Sequence, residues 1–305
     1  MKSIAVLVLL VVCIGALNGA KRRARQTDKS QFDPKKTYDF TDKVVLTTGS
    51  SSGIGAEIVK LFSQFGAKVV VTGRNATEVQ RVANECEKLS PKKLKPLQVV
   101  ADVSDDKQLN NLLKKTIDTY GKLDVLVNNA GMGGLTPIAD PKFMTDFDKI
   151  MSVNLRPYVQ LSHLAVPYLM KTNGSIISTS TGLTMSPAKY QLAYIMSKAA
   201  IDMMTRVLAL ELGPNIRVNS INPGLTQTGF LDPPANSNID PAIIQGFVNF
   251  VAGRTPLKRL GQPMDMAKGV VFLASDQASF ITGINLVIDG GLVHNFGGIM
   301  DNFQL

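Results

Sequence analysis

Cysteine and histidine are nearly absent from this 305-residue chain, with 2 of each. Cys13 lies in an N-terminal apolar run and Cys86 stands alone in the remainder, so no disulfide within a mature domain is available. His163 and His294 are isolated, and no His/Cys cluster has metal-ligand spacing, so no metal is expected. Charged residues make up only 19% against 45% hydrophobic, which excludes a disordered chain. The net charge of +9 is concentrated at the start: residues 1–43 hold nine Lys and Arg against four Asp. The short Lys92-Lys93-Leu94-Lys95 run reads as a solvated loop, so no basic patch within the fold points to nucleic acid.

Long hydrophobic runs are also scarce. Ile4–Leu17 is the longest near the N-terminus, and as a helix its fourteen residues reach about 21 Å, short of a hydrocarbon core of about 30 Å. With Lys2 before it and Asn18-Gly19-Ala20 after it, residues 1–20 have the layout of a cleaved secretory signal. That reading places the protein in the secretory pathway, secreted or in the endoplasmic reticulum. The cluster Lys21-Arg22-Arg23-Ala24-Arg25 supports the alternative, an uncleaved membrane anchor with the rest facing the cytosol. Two sequons, Asn75-Ala76-Thr77 and Asn173-Gly174-Ser175, would be open to glycosylation in the lumen. Residues 21–42 read as a basic linker, 43–292 as one domain, and 293–305 as a tail.

Within 43–292, short β-branched runs alternate with segments of helical spacing. The runs are Val44–Thr47, Lys68–Thr72, Leu97–Ala101, Val125–Asn128, Ser175–Thr179, Arg217–Ile221 and Asn285–Ile288; helices are expected at Ala56–Phe65, Lys107–Tyr120, Phe147–Met170 and Tyr194–Leu212. Continuously apolar strands alternating with helices predict an α/β fold, a doubly wound parallel sheet of Rossmann type in a single domain. The stretch Gly229–Pro256 breaks this rhythm after a strand end, where a substrate lid would sit.

Two motifs carry chemistry. Thr48-Gly49-Ser50-Ser51-Ser52-Gly53-Ile54-Gly55 follows the first strand and opens a helix, where Gly49, Gly53 and Gly55 let the backbone turn tightly and pyrophosphate approach the amides. Tyr194 and Lys198 lie one helical turn apart on one face. A nearby ammonium lowers a tyrosine pKa, so Tyr194 is expected as the proton donor or acceptor while hydride moves. After the second strand, where an NAD enzyme carries an acid, the chain has Gly73-Arg74-Asn75. Arg74 suits a 2′-phosphate, which favours NADP, with NAD as the alternative.

The ordered set of Thr48-Gly-x-x-x-Gly-x-Gly55, Asp102-Val103, Asn128-Asn129-Ala130-Gly131, Asn154, Tyr194-x-x-x-Lys198, Asn222-Pro223-Gly224 and Gly283–Gly291 resembles the short-chain dehydrogenase/reductase family over residues 40–292. By that resemblance Asp102 and Val103 flank the adenine and Asn129, Ala130 and Gly131 line the cofactor crossing. Thr48, Ser51, Ser52, Ile54, Pro223, Gly224 and Thr228 join the cofactor contacts. Lys198 also bonds the ribose, and Asn154 holds a water of the proton relay. The family's serine position falls on Thr181; Ser180 is the neighbouring alternative, on the opposite face of a regular strand. Met132, Leu183, Met185, Leu192, Phe230, Leu231 and Phe247 make an apolar pocket, implying a hydrophobic carbonyl or alcohol substrate. A 3-oxoacyl-thioester reductase of lipid synthesis, with Arg254, Lys258 and Arg259 facing an acyl carrier, is a second option. A catalytically weak binding or scaffold protein is a third. As for its relatives, a homodimer or homotetramer is expected.

Overall fold

A computed structural model of the chain describes residues 38–231 and 241–295. The apolar run of residues 1–20, the linker as far as residue 37, part of the expected lid and the tail from 296 lie outside the described residues. Seven strands, β1 Val44–Thr47, β2 Lys68–Gly73, β3 Leu97–Val100, β4 Val125–Asn128, β5 Ser175–Thr179, β6 Arg217–Pro223 and β7 Asn285–Ile288, form one sheet in the order β3-β2-β1-β4-β5-β6-β7. All six pairings are parallel. The order reverses between β1 and β4, the switch point at which such sheets open a crevice beyond their C-terminal strand ends. This is the doubly wound architecture expected from the sequence.

Eight described α-helices connect the strands: α1 Gly53–Gln64, α2 Ala76–Leu89, α3 Asp106–Tyr120, α4 Phe143–Asn154, α5 Arg156–Thr172, α6 Leu192–Leu212, α7 Pro241–Arg254 and α8 Pro263–Ala274. Alternate residues of a strand serve opposite faces. Val45 packs with Ile58, Phe62 and Val82 of α1 and α2 and Val270 of α8. Its neighbours Val44 and Leu46 pack with Leu109, Leu161 and Leu169 of α3 and α5 on the other face. Helices on both faces explain why β1 is apolar at successive positions.

Three boundaries differ from the sequence reading. The single helix expected over Phe147–Met170 is two helices, broken at Leu155, whose φ of −112° departs from helix geometry. Pro157 lacks an N–H and fits only the first turn of a new helix, so α5 restarts there. The domain begins before residue 43: buried Phe40 meets Phe62 edge to face with ring centres 4.8 Å apart. It also runs past 292, since the Asp289 carboxylate accepts the Val293 N–H at 2.6 Å and the Val293 side chain covers Gly182.

Candidate active site

The turn between β1 and α1 is set by its backbone. Gly49 and Gly53 have φ of 63° and 53°, values that suit glycine. A side chain on Gly55 would begin 2.3 Å from the Gly49 carbonyl oxygen. Thr48 and Asn129 are spent on holding this turn to the end of β4. The Thr48 hydroxyl accepts the N–H groups of Asn129 and Ala130 at 2.9 and 3.1 Å, and the Asn129 amide donates to the Thr48 carbonyl at 3.1 Å. Both therefore act as scaffold through their side chains. Thr228, on the loop after β6, stands over Gly53, where an added Cβ would lie 3.4 Å from its methyl group. The loop beyond Pro223 and Gly224 thus closes over the start of α1.

The start of α1 fits a dinucleotide phosphate. Helices α2 and α3 are capped by the side chains of Asn75 and Asp105, but Ser52 makes no cap bond to α1, and α1 has no acid in its first turn. Its amide groups keep an unmet preference for an anion. Ile54 packs on the core beneath. Arg74 is exposed just beyond β2, close enough to Asp102 to help hold that carboxylate's pKa below its ordinary value, although the hydrogen bonds from Ser104 do more. Val103 packs on the second core. Gly73 leaves no room for the acid of an NAD enzyme, since its Cβ would lie 2.2 Å from the Ser51 hydroxyl and 2.7 Å from Ser51 Cβ.

Across the switch point, the other group of expected residues converges. The Thr181 and Tyr194 side chains lie near each other, and the Thr181 hydroxyl acts to draw the Tyr194 pKa down. The Thr181 oxygen accepts the Leu183 N–H at 3.3 Å, which leaves its own proton free to be donated. Ser180 points away: its hydroxyl donates to the Lys198 carbonyl at 3.1 Å and is buried. Just past the end of β5, Ser180 is thus turned to the Lys198 backbone and makes no contact with the Tyr194 hydroxyl. Asn154, at the last position of α4, accepts the Met132 N–H at 2.8 Å and donates to the Met132 carbonyl at 2.9 Å and to the Ser197 hydroxyl at 3.2 Å. Gly131 lies between these groups: a Cβ there would be 3.4 Å from Lys198 Nζ and 3.5 Å from Asn154 Oδ1.

The Lys198 ammonium is turned toward Thr179 and Tyr158 and does not bond the Tyr194 hydroxyl. Burial pushes Tyr194 up to about 12, against the opposing influence of Thr181. Burial lowers Lys198 to about 7, while Asp202 raises it. Desolvation wins because the ammonium turns elsewhere. It donates to the Thr179 carbonyl at 2.8 Å and lies 5.1 Å from the ring centre of Tyr158, nearer than the 6.0 Å to that of Tyr194.

Tyr158, Thr179, Asp202 and the Asn222 side chain were missed as site residues by sequence reasoning. Asn222 donates to both Asp202 oxygens at 3.1 and 3.2 Å and to the Thr181 carbonyl at 3.1 Å, so it fixes the Thr181 loop. A signal existed for Asp202, since Tyr194, Lys198 and Asp202 recur every fourth residue on α6. Among the apolar pocket residues, Met185, Leu192 and Phe230 are exposed, while Met132 and Phe247 pack into small satellite cores. The Phe230 ring rests against Gly133 and stands 6.0 Å from the Tyr194 ring. The side chain of Leu231 lies outside the described residues. No group of His, Cys, Asp and Glu among the described residues could hold a metal ion.

Residues 49–293 match a family model described as enoyl-(acyl carrier protein) reductase, adh_short_C2. The chain is also 36% identical over 253 residues to the 3-oxoacyl-(acyl-carrier-protein) reductase FabG of Thermotoga maritima, covering 82% of this chain and 98% of the relative. The chain belongs to the short-chain dehydrogenase/reductase family. The 7alpha-hydroxysteroid dehydrogenase of Escherichia coli is 35% identical, covering 82% of this chain and 93% of the relative. A short-chain dehydrogenase/reductase from Caenorhabditis elegans, solved with cofactor, superposes with a TM-score of 0.75 at 33% identity, covering 85% of this chain and 97% of that one. A 7 alpha-hydroxysteroid dehydrogenase solved with NADH and 7-oxo glycochenodeoxycholic acid gives 0.75 at 34%, with the same two shares. As a short-chain dehydrogenase/reductase, the protein is an NAD(P)-dependent oxidoreductase acting on CH–OH groups of small molecules.

Proposed function

We propose that the protein is an NADP(H)-dependent oxidoreductase for a hydrophobic carbonyl or alcohol, with Tyr194 as proton donor and acceptor. The observation that carries this reading is the convergence of Lys198 and Asn154 on Gly131 after β4, with Tyr194 one helical turn from Lys198 and Thr181 beside it, across the switch point from the glycine turn. The nicotinamide supplies or takes the hydride when bound. Thr181 orients the substrate oxygen. Tyr194 gives that oxygen a proton in reduction and takes it back in oxidation. A tyrosine held at about 12 keeps its proton at neutral pH, which suits the reductive direction in the first instance. Gly49, Ser51, Ser52, Gly53 and Ile54 would hold the pyrophosphate, Asp102 and Val103 the adenine end, and Ala130, Gly131, Gly224 and Thr228 the nicotinamide side. Arg74 would pair with the 2′-phosphate, and Gly73 offers no acid against it.

Exposed Met185, Leu192 and Phe230 near the tyrosine support an apolar substrate. Thioester reduction is favoured by the similarity to the Thermotoga protein. The basic group suggested for an acyl carrier speaks against it: Arg259 is held by Asp265 at 2.6 Å, and Lys258 donates to the Gly253 carbonyl at 2.8 Å. Oxidation of NADPH and of NADH with a panel of cyclic ketones, steroids and acyl thioesters separates the readings. Turnover confined to acyl thioesters would replace the first by the second, and no turnover with any would favour the scaffold.

Self-association is part of the same proposal. Met196, Met203, Val207 and Leu210 of α6 and Val159 and Met170 of α5 are exposed apolar residues, enough to seat a twin subunit in a homodimer or homotetramer. For residues 1–20 we keep the cleaved secretory signal as the reading and the cytosol-facing anchor as its rival. Asn173 is exposed at the end of α5, so a glycan there, revealed by an endoglycosidase-sensitive mass, would favour the lumen.

A further inference from the structure

Tyr158 is a buried titratable group next to the expected site that no motif accounts for. It is among the largest fully buried side chains, at 1% exposure, on the first turn of α5. The break at Leu155 and the restart at Pro157 deliver it to the underside of α6, beneath Lys198. Its hydroxyl lies 3.5 Å from Lys198 Nζ and 3.5 Å from the Thr179 carbonyl oxygen, which Lys198 itself reaches at 2.8 Å. These three groups close a triangle: the ammonium donates to the phenol oxygen and to the carbonyl, and the phenol donates to the carbonyl.

We propose that Tyr158 is a positioning residue for Lys198, holding the ammonium by its hydroxyl, beyond the oxygen edge of the ring. Asn154 cannot do this with its side chain, because its amide is engaged by Met132 and Ser197. The groups facing Lys198 are Tyr158 from α5, Tyr194 and Asp202 from α6, the Thr179 carbonyl from β5 and the Gly131 backbone after β4. Asp202 is the charged one among them. A hydrogen bond is electrostatically stronger in a low-dielectric interior, so the hydroxyl counts most where water is excluded. Burial drives the Tyr158 phenol well above its ordinary value, with Tyr194 adding to the rise, so the hydroxyl stays neutral and keeps a proton for Thr179. Burial lowers Lys198 and Asp202 raises it, so the bond to Tyr158 acts on an ammonium whose charge its surroundings already oppose.

The consequence for turnover rests on the catalytic reading of Lys198 given above, so the test needs a readout independent of it. In the full-length protein with 13C-labelled lysine, the Lys198 side-chain resonance is identified by its loss in Lys198→Met and followed against pH. Tyr158→Phe keeps the ring, removes the hydroxyl and should move the Lys198 titration down by about half to one pH unit. Tyr158→Leu should move it down by a similar amount. Tyr168→Phe, further along the same helix, should leave it where it is. If Tyr158→Leu does not fold, Tyr158→Phe decides alone. An unmoved or raised Lys198 titration in every folded Tyr158 variant would overturn the inference. If Lys198 moves while the pH profile of turnover stays, Tyr158 still holds the ammonium, and it is the catalytic role of Lys198 that fails.

Discussion

The two ends of the cofactor crevice are built from different materials. At the β1–α1 turn the work is done by backbone: positive φ at Gly49 and Gly53, no space for a Cβ at Gly55, and a helix start left without a side-chain cap. At the α6 end it is done by side chains whose properties have been moved by their surroundings, Tyr194 up to about 12 and Lys198 down to about 7. A site made of backbone is robust to its environment and is fixed by local glycines. A site made of desolvated side chains depends on everything packed around it, including Tyr158 and Asp202, which lie in no motif.

The contrast is broken most directly at Tyr194. Tyr194→Phe keeps the ring and removes the proton, so turnover should fall by about 10²–10⁴-fold while cofactor affinity in a fluorescence titration stays unchanged. Loss of affinity along with turnover would mean that the two ends are not separable. Next comes Thr181→Val, which should cost about 10²–10³-fold in kcat, because it removes a hydroxyl aimed at the reacting oxygen. Ser180→Ala should cost much less, since that hydroxyl serves the Lys198 carbonyl. Steady-state rates of the two variants side by side check the order.

At the other end the expected effect is on affinity and is smaller. Arg74→Ala should weaken NADPH binding by about 10–100-fold, the range of a charged hydrogen bond, and leave NADH unchanged. Equal weakening of both coenzymes in parallel titrations would remove Arg74 as the selector. Replacing Gly73 by Asp is a poor probe of the same question, because its side chain would run into Ser51 before it reached a ribose.

These differences track what a sequence can carry. The sheet was legible because helices on both faces force every strand to be apolar, and six of the seven strands end within one residue of where the alternation put them. The glycine turn was legible because its residues are required by φ and by space. Beyond the end of β5, the Ser180 hydroxyl turns to the Lys198 carbonyl while Thr181 lies beside Tyr194, an arrangement that counting along the chain could anticipate only by assuming that the strand runs on. The break at Leu155 was hidden because α4 and α5 continue one apolar pattern, and Pro157 is as acceptable in a helix start as it is disruptive inside one. Tyr158 could not be assigned, since a tyrosine after a proline says nothing about which lysine it will meet 40 residues later. Tyr194 was expected to shift down and lies up, and no shift was assigned to Lys198, for the same reason: spacing gives proximity, whereas desolvation needs the packed interior.

The smallest expected effect tests that misjudgement through stability. Lys198 has an ordinary value of 10.5 and titrates near 7 when folded, so between those values the unfolded chain binds a proton that the folded one does not. Stability contributed by this group therefore rises with pH from about 7 to 10.5, and its full cost is present below 7. Tyr194 acts in the opposite sense only above 10, where the folded protein holds a proton that the unfolded one loses. Lys198→Met is close in shape and carries no charge. It should raise Tm by a few degrees at pH 6.5. The advantage should shrink by pH 9.5, where the wild-type lysine is neutral in the fold and the cost is largely relieved. Thermal melts of both proteins at the two pH values suffice. A difference in Tm that does not change with pH would mean that Lys198 keeps its ordinary ionisation in the folded chain, and the α6 end would then be no more sensitive to burial than the glycine turn.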